Sequence, residues 1–467
     1  MKVTKKNAAV LQGKVRTLLF MAITFTIASC SDDSKSVSYD PGIPVQVNEL
    51  SPTTGGYFDK VILRGENFGN NPKNVRVFFN KKEAFVAGAS GDHLLVYVPK
   101  LPGEDCKIGI LMNENTTDTI FCKQHFKYIK RYQLQYVAGQ VGLKSDAFDQ
   151  GDFTKMHFAN SMEYLTSAPN NIVYISHYQV KQDWTGCAAY LNMSEQRATF
   201  MERGHKGAPY YDNVSEQVFY VIKDKTAFTV VDPSTFAFRT RSLIAPNQTF
   251  IDNGYKPLPS GYTLTNAPQS ITRASDGKES WLYGRTQDGT LYRFKPENMV
   301  YDIVKTDLRY TTNGETYICT DPDDDTKVYT SLRTRHIITC IDLTKDPNAQ
   351  DYETIVCGID GSGTGDFVDG NKSIAKLNDP RQIAFARDPE TNEKIIYICD
   401  ADNRRIRSFN LETNLMTTVA GTGENGYATG DPATSMLSWP TGVCVTEGND
   451  IYICDQGNRV VMKIEFM

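Results

Sequence analysis

Apolar residues in this chain come in short runs bounded by Gly, Pro, Asn and Asp, and no stretch keeps them three or four apart as a helix would. Runs of this kind are strands joined by tight turns, so an all-β chain is expected. Two regimes follow one another. From Val45 to about Tyr128 the runs Val61–Leu63, Val75–Phe79, Leu94–Val98, Ile108–Met112 and Phe121–Tyr128 have the spacing of a small β-sandwich. From Arg131 onward the pattern begins to repeat itself.

The repeat is clearest near the C-terminus. One copy reads Thr354-Ile-Val-Cys-Gly358, a Gly/Asp-rich loop, Leu377-Asn-Asp-Pro380, Ile396-Tyr-Ile-Cys-Asp400 and Asn403-Arg404-Arg-Ile406. The next reads Thr418-Val-Ala-Gly421, a Gly-rich loop, Leu437-Ser-Trp-Pro440, Ile451-Tyr-Ile-Cys-Asp455 and Asn458-Arg459-Val460. Each copy is a small sheet that cannot bury both faces alone, and a period of roughly 40–60 residues signals a propeller. A third copy starts at Val137-Ala138-Gly139 and runs through Phe158 to Ile172-Val-Tyr-Ile175. Degenerate groups lie between: Val218–Ile222 with Phe228–Val231, Trp281–Tyr283 with Leu291–Phe294, and Thr316–Cys319 with Val328–Ser331 and Ile337–Ile341. Together they predict six blades. The last copy ends after its third strand, and the run Tyr132–Val137 has no blade of its own, so it is expected to supply the missing outer strand and close the ring.

Charge and cysteine usage narrow the class of protein. Lys2, Lys5, Lys6, Lys14 and Arg16 precede the apolar stretch Leu18–Ile27, which is too short to span a bilayer comfortably and reads as a targeting segment. Without those five of its 50 basic residues the chain carries 45 against 55 acidic ones, about −10. A net acidic chain without a basic stripe argues against nucleic-acid binding. Cysteines are irregularly spaced, and Cys319, Cys399 and Cys454 each end a Tyr-Ile-Cys strand, the place of a buried thiol and not of a disulfide framework.

In a four-stranded blade, the loop leading into the inner strand and the turn between the second and third strands open on one face of the disc. That face and the mouth of the central channel are the expected ligand site. Met162, Arg381 and Thr441 would look into the mouth beside Glu163 and Trp439. The second-strand ends would add His177, Tyr178, Asp321, Arg333, Arg335 and His336, with Trp184 and Tyr427 on loops around them. Ligand-binding candidates are therefore Trp439, Arg381, Tyr178, Trp184 and Tyr427: flat aromatic faces stack on sugar rings while charged groups hydrogen-bond hydroxyls. Were the protein an enzyme, His177, Arg335, His336 and Arg381 would supply acid, base and charge stabilisation. Asp400, Asp455, Asn403, Arg404, Asn458 and Arg459 recur in register, which favours a scaffold role in which the carboxylate caps a turn and pairs with Arg. Asp321, Asp323 and Asp325 invite a calcium ion, although their spacing does not match the twelve-residue calcium loop. A zinc site from His177, His205 and His336 would need assembly from separate blades, so no metal or other cofactor is expected.

Several of these motifs resemble known families. Ile27-Ala28-Ser29-Cys30 resembles a bacterial lipobox, which implies that residues 1–29 are a signal peptide and that Cys30 carries lipid. Ser31-Asp32-Asp33-Ser34 is similar to the export tag of Bacteroidetes surface lipoproteins, which implies an outer-membrane, outward-facing location, with residues 30–43 as tether. Leu63-Arg-Gly65-Glu-Asn67-Phe68-Gly69, with Ser51-Pro52 and Val98-Pro99, resembles the IPT/TIG family, implying an immunoglobulin-like spacer over 44–129. The Ala-Gly loops, Leu-x-x-Pro and Asn-x-Arg turns resemble NHL repeats, implying a propeller over 130–467. The reading that follows is a non-catalytic glycan-binding surface lipoprotein. Its partners would be an oligo- or polysaccharide, the membrane through its lipid alone, and an outer-membrane transport protein. The alternatives are a polysaccharide lyase or hydrolase with its site at the channel mouth, or a protein-interaction scaffold.

Overall fold

The computed structural model describes residues 38–466 apart from the short segments 101–102, 104, 113–117, 130, 143–147, 159–161, 181–184, 204–206, 223–225, 236, 261–269, 311–315, 361–364 and 389–390. The chain is all-β, with one α-helix, Gln248–Asp252, among the described residues.

The strands from Gln46–Ser51 to Ile120–Tyr128 form an eight-stranded immunoglobulin-like sheet closed around one core. Alternation sends Val61, Leu63, Val77, Phe79, Ile110 and Phe126 inward, all fully buried. Each such side chain contributes on the order of 1.5–3 kcal/mol on leaving water.

The remaining strands make six sheets, the blades of a propeller. Their inner strands are Met162–Ala168, Pro209–Asp212, Ile271–Ser275, Thr316–Asp321, Pro380–Arg387 and Pro440–Val445, for blades 1 to 6. Blade 6 is completed by Tyr132–Gly139, which runs antiparallel to Val460–Phe466 with Ile464 opposite Leu134 and Val461 opposite Ala138. The closure expected from the chain's early strand is therefore present, and the ladder covers the edge of Val460–Phe466 with one register shift between Val461 and Met462.

Gln382 bridges the axis. Its Oε1 accepts from the backbone N–H of Leu165 at 2.9 Å and of Val443 at 3.2 Å. Its Nε2 donates to Tyr317 Oη at 2.9 Å, so one buried amide ties together blades 1, 4, 5 and 6. Gly442 beside it is required by this contact, since a Cβ there would stand 3.1 Å from Oε1 of Gln382 and 2.6 Å from Cys454 Sγ.

One strand assignment is corrected. Tyr317-Ile318-Cys319 lies on the inner strand of blade 4, whereas Cys399 and Cys454 lie on the second strands Lys394–Asp400 and Ile451–Asp455. The true counterpart in blade 4 is the end of Asp324–Leu332, with Leu332 standing where Asp400 and Asp455 stand. An apolar alternation marks a strand but not its rank in the blade, because inner and second strands both carry buried residues.

Candidate ligand-binding face

The repeated aspartates build the floor of one face. Asp455 is fully buried and accepts backbone N–H groups from Ser438 at 2.8 Å and Trp439 at 2.7 Å, and the Asn458 amide at 2.6 Å. Asp400 does the same for Asn378 at 2.7 Å and the Asn403 amide at 2.8 Å. Each carboxylate thus pins the residues just before the proline that opens its inner strand. Burial pushes the Asp400 carboxyl up to about 6 and raises that of Asp455, while the hydrogen bonds pull both back toward the charged form.

The turns that follow correct another expectation. Arg404 and Arg459 occupy the left-handed positions of these turns, φ 51° and 58°. The arginine bonded to Asp400 is Arg407, at 2.8 Å, from the third strand. His336, φ 58°, holds the equivalent place in blade 4. The carbonyl oxygens of Arg404 and His336 press against Gly421 and Gly358, where any Cβ would collide with them. The glycine of each Ala-Gly or Cys-Gly pair answers to that approach and to its own positive φ, 95° and 88°.

On this floor the residue before the opening proline is Asp379 in blade 5 and Trp439 in blade 6. Arg333 grips Asp379 with two bonds, 2.5 and 3.0 Å, and Arg381 Nε adds a third at 3.1 Å. The Arg381 guanidinium lies 4.4 Å from the centre of the Trp439 ring, a cation–π contact. The indole Nε1 of Trp439 donates to Asp402 at 3.2 Å. Burial opposes ionisation of Asp379, but Arg333 and Arg381 outweigh it and hold the carboxyl below its usual range. His336 Nδ1 accepts the Asp379 backbone N–H at 3.1 Å, which requires that nitrogen to be unprotonated. Burial lowers its pKa in the same sense, against the pull of Asp379 and Asp402.

A second ion-paired group extends the face toward blade 3. Arg335 binds Asp360 with two bonds, 2.8 and 2.7 Å, and Arg309 stands 3.6 Å from the same carboxylate. Arg309 also reaches Glu353 at 3.4 Å, and Glu353 meets the fully buried Arg285 at 2.7 Å. Burial alone would raise Glu353, but Arg285 and Arg309 bring it below its ordinary value.

The structure therefore brings together Trp439, Arg381 and His336 around Asp379, and sets Arg335 in the separate ion-paired group at Asp360. It does not bring in His177, which is fully buried in blade 1 with Nδ1 3.4 Å from Cys187 Sγ and its ring against Phe148 and Phe158. Desolvation pushes its pKa down to about 3, so it is an uncharged core residue there. Met162 is also core, and Thr441 is spent on the Met162 carbonyl at 3.2 Å. Tyr427 is half-buried against the apolar core between blades 5 and 6. Tyr178 falls in the strand Ile172–Val180 with its side chain outside the described set; Trp184, His205 and Cys30 lie outside the described residues.

Asp321 and its neighbours are corrected too: they form the turn after an inner strand and so lie on the opposite face. Lys394 binds Asp321 at 2.6 Å and Asp323 at 3.3 Å, Arg387 also binds Asp323, and Asp325 is exposed. Cations of the chain itself neutralise this acidic turn. No group of three or more metal-ligating side chains occurs among the described residues. The sequence reading missed Asp379, Asp402 and Asp360. Asp379 carried a usable signal, since it occupies the same place before a proline as Trp439.

Comparison with known proteins agrees with the two-part architecture. Residues 44–128 match the IPT/TIG domain family. NHL repeat-containing protein 2 of Gallus gallus is 30% identical over 100 residues, 21% of this chain. The chain spans 9% to 13% of the lengths of the curated relatives it matches. Among solved structures, an auxiliary nutrient binding protein from Bacteroides thetaiotaomicron superposes with a TM-score of 0.58 at 22% identity, covering 92% of this chain and 99% of that one. A structure described as a putative phosphatase from the same organism superposes at 0.56 with 16% identity, covering 92% and 98%. One fold stands under two descriptions, so these likenesses establish an IPT/TIG domain followed by an NHL-type six-bladed propeller and leave the activity to the site.

Proposed function

We propose that this protein is a non-catalytic glycan-binding lipoprotein of the outer cell surface, with the propeller face as platform and the IPT/TIG domain as spacer. The observation that carries the reading is the array at the mouth: Trp439 with Arg381 at 4.4 Å, and Arg381 in turn held by Asp379. An aromatic edge among fixed guanidinium and carboxylate groups suits a hydroxyl-rich ligand. Catalysis is disfavoured by the state of the same groups. Asp379 is kept ionised by two arginines and His336 is kept neutral with Nδ1 engaged, so neither is poised as a general acid. The nutrient-binding description of a protein that shares the fold agrees with this reading. Lipidation at Cys30, an outward-facing outer-membrane location and a transport partner that receives the captured glycan belong to the same proposal.

The test is a retention screen of the intact chain on plant, host and microbial polysaccharides, with the same mixtures assayed for released reducing ends or unsaturated sugars. Retention without product is expected, falling about tenfold or more in Trp439→Ala while the melting temperature holds. Product formation would overturn the non-catalytic reading, and absence of both would leave a protein partner.

A further inference from the structure

We propose a second binding site, for a neutral saccharide unit, in the cleft between blades 1 and 2 on the face opposite Trp439. The cleft is a cavity of about 410 Å³, within the range of about 300–1,000 Å³ usual for small-molecule sites. It opens where inner strands end: its walls come from the turn 168–172 of blade 1 and from the turns 213–216 and 233–235 of blade 2.

Three tyrosines, Tyr174, Tyr190 and Tyr211, face the cavity above the apolar core of blades 1 and 2. Tyr174 and Tyr190 are 6.1 Å apart between ring centres and tilted by 54°, which turns their faces to different sides of one space. Burial pushes the Tyr174 hydroxyl up to about 12, so it stays a donor at neutral pH. Among the described residues, no hydrogen bond engages the hydroxyls of Tyr174 and Tyr211 or the side-chain amides of Asn170 and Gln217. Unspent donors and acceptors beside aromatic faces call for a ligand that offers both hydroxyls and apolar ring faces. The charge pattern selects among such ligands. The lining holds the carboxylates of Glu216 and Asp232 but no Lys, Arg or His. Hydrogen bonds from Ser234 keep the Asp232 carboxyl below its usual range. An acidic sugar would meet uncompensated repulsion there, and a neutral one would find acceptors.

A cleft of nearly the same size, about 420 Å³, lies between blades 3 and 4 on the same face and makes the contrast. There Arg293 is already bound to Asp276 at 2.6 Å and Asp302 at 2.8 Å, and the lining carries Lys256, Lys278 and Lys345, cations that the cleft between blades 1 and 2 lacks. The site between blades 1 and 2 stands independently of the Trp439 face.

The experiment is saturation-transfer NMR and calorimetry on the intact chain with maltose, cellobiose and lactose, against glucuronic acid and choline. Transfer to at least one neutral disaccharide is expected, weakened tenfold or more in Tyr211→Ala and in Gln217→Ala, and unchanged in Lys278→Ala in the cleft between blades 3 and 4. Gln217 is a polar turn-adjacent residue, so its variant guards against loss of folding as the cause. Equal loss in Lys278→Ala would place the sugar in the cleft between blades 3 and 4 and overturn the proposal without touching the Trp439 reading. Preference for choline would make the cleft an organic-cation cage, and no saccharide binding that the Tyr211 and Gln217 variants remove would overturn it outright.

Discussion

Blades 4 and 6 are built to one plan and use the same turn for different ends. In blade 6, Asn458 bends back onto Asp455 and the Gly426 carbonyl, and Asp455 holds the backbone of Ser438 and Trp439. In blade 4, Leu332 replaces that aspartate, and the turn's side chains reach outward, Arg333 to Asp379 of blade 5 and Arg335 to Asp360. The turn of blade 6, which keeps its carboxylate, spends Asp455 and Asn458 on nearby backbone groups. A turn that has lost it releases its polar groups to the face, where they set the charge around Trp439. Departures from the repeat therefore mark the candidate site, and adherence marks the scaffold.

The strongest test of that division is Asp455→Ala. It strands two backbone donors and an amide, each worth about 1–3 kcal/mol when left unmet in the interior, so a loss of about 3–5 kcal/mol is expected. Denaturant unfolding measures it, and a loss under about 1 kcal/mol would mean that the aspartate is not scaffold. Next in size is the paired substitution of Gly421 and Gly430 by alanine. Both have positive φ, 95° and 106°, but only at Gly421 would the Cβ strike a carbonyl, that of Arg404. Gly421→Ala should cost about 2–4 kcal/mol and Gly430→Ala about 1 kcal/mol. Equal melting temperatures would remove the close-packing account of the Ala-Gly loop.

The smallest effect is in the pH dependence, where two groups of the face act in opposite directions. Asp400 has a folded pKa of about 6, above its unfolded value, so its contribution to stability grows as pH falls from 7 toward 4. His336 has a folded pKa below its unfolded value of 6.5, so its contribution is present above that pH and is lost as pH falls below it. Thermal melts between pH 7 and 4.5 should therefore show a steeper fall with acid in Asp400→Asn than in the parent. The fall should be shallower in His336→Gln. Identical slopes in all three chains would mean that neither group titrates as its surroundings indicate.

The site divides in the same way between what was legible and what was not. Trp439 stood out because it interrupts a repeat at a position read from its neighbours, and in the folded chain its ring lies against Arg381. Asp379 held the same position before its proline but looked like an ordinary turn residue until Arg333 arrived from another blade. His177 failed for the complementary reason: it was read as a strand end, but the strand runs on to Val180, and Phe148 and Phe158, distant in the chain, cover its ring.

Local pattern by itself determined most strands, the six-fold repeat, the sandwich before it and the closing run Tyr132–Val137, because alternation and turn chemistry act over a few residues and repeat in register. Only the tertiary structure decided which face each side chain serves. It set Asp321 on the far side, Gln382 across the axis and the tyrosines of blades 1 and 2 around one cleft. Those outcomes depend on which blades become neighbours, and hydrogen bonds between residues more than 200 positions apart, such as Gln382 and Leu165, leave no mark on either local sequence.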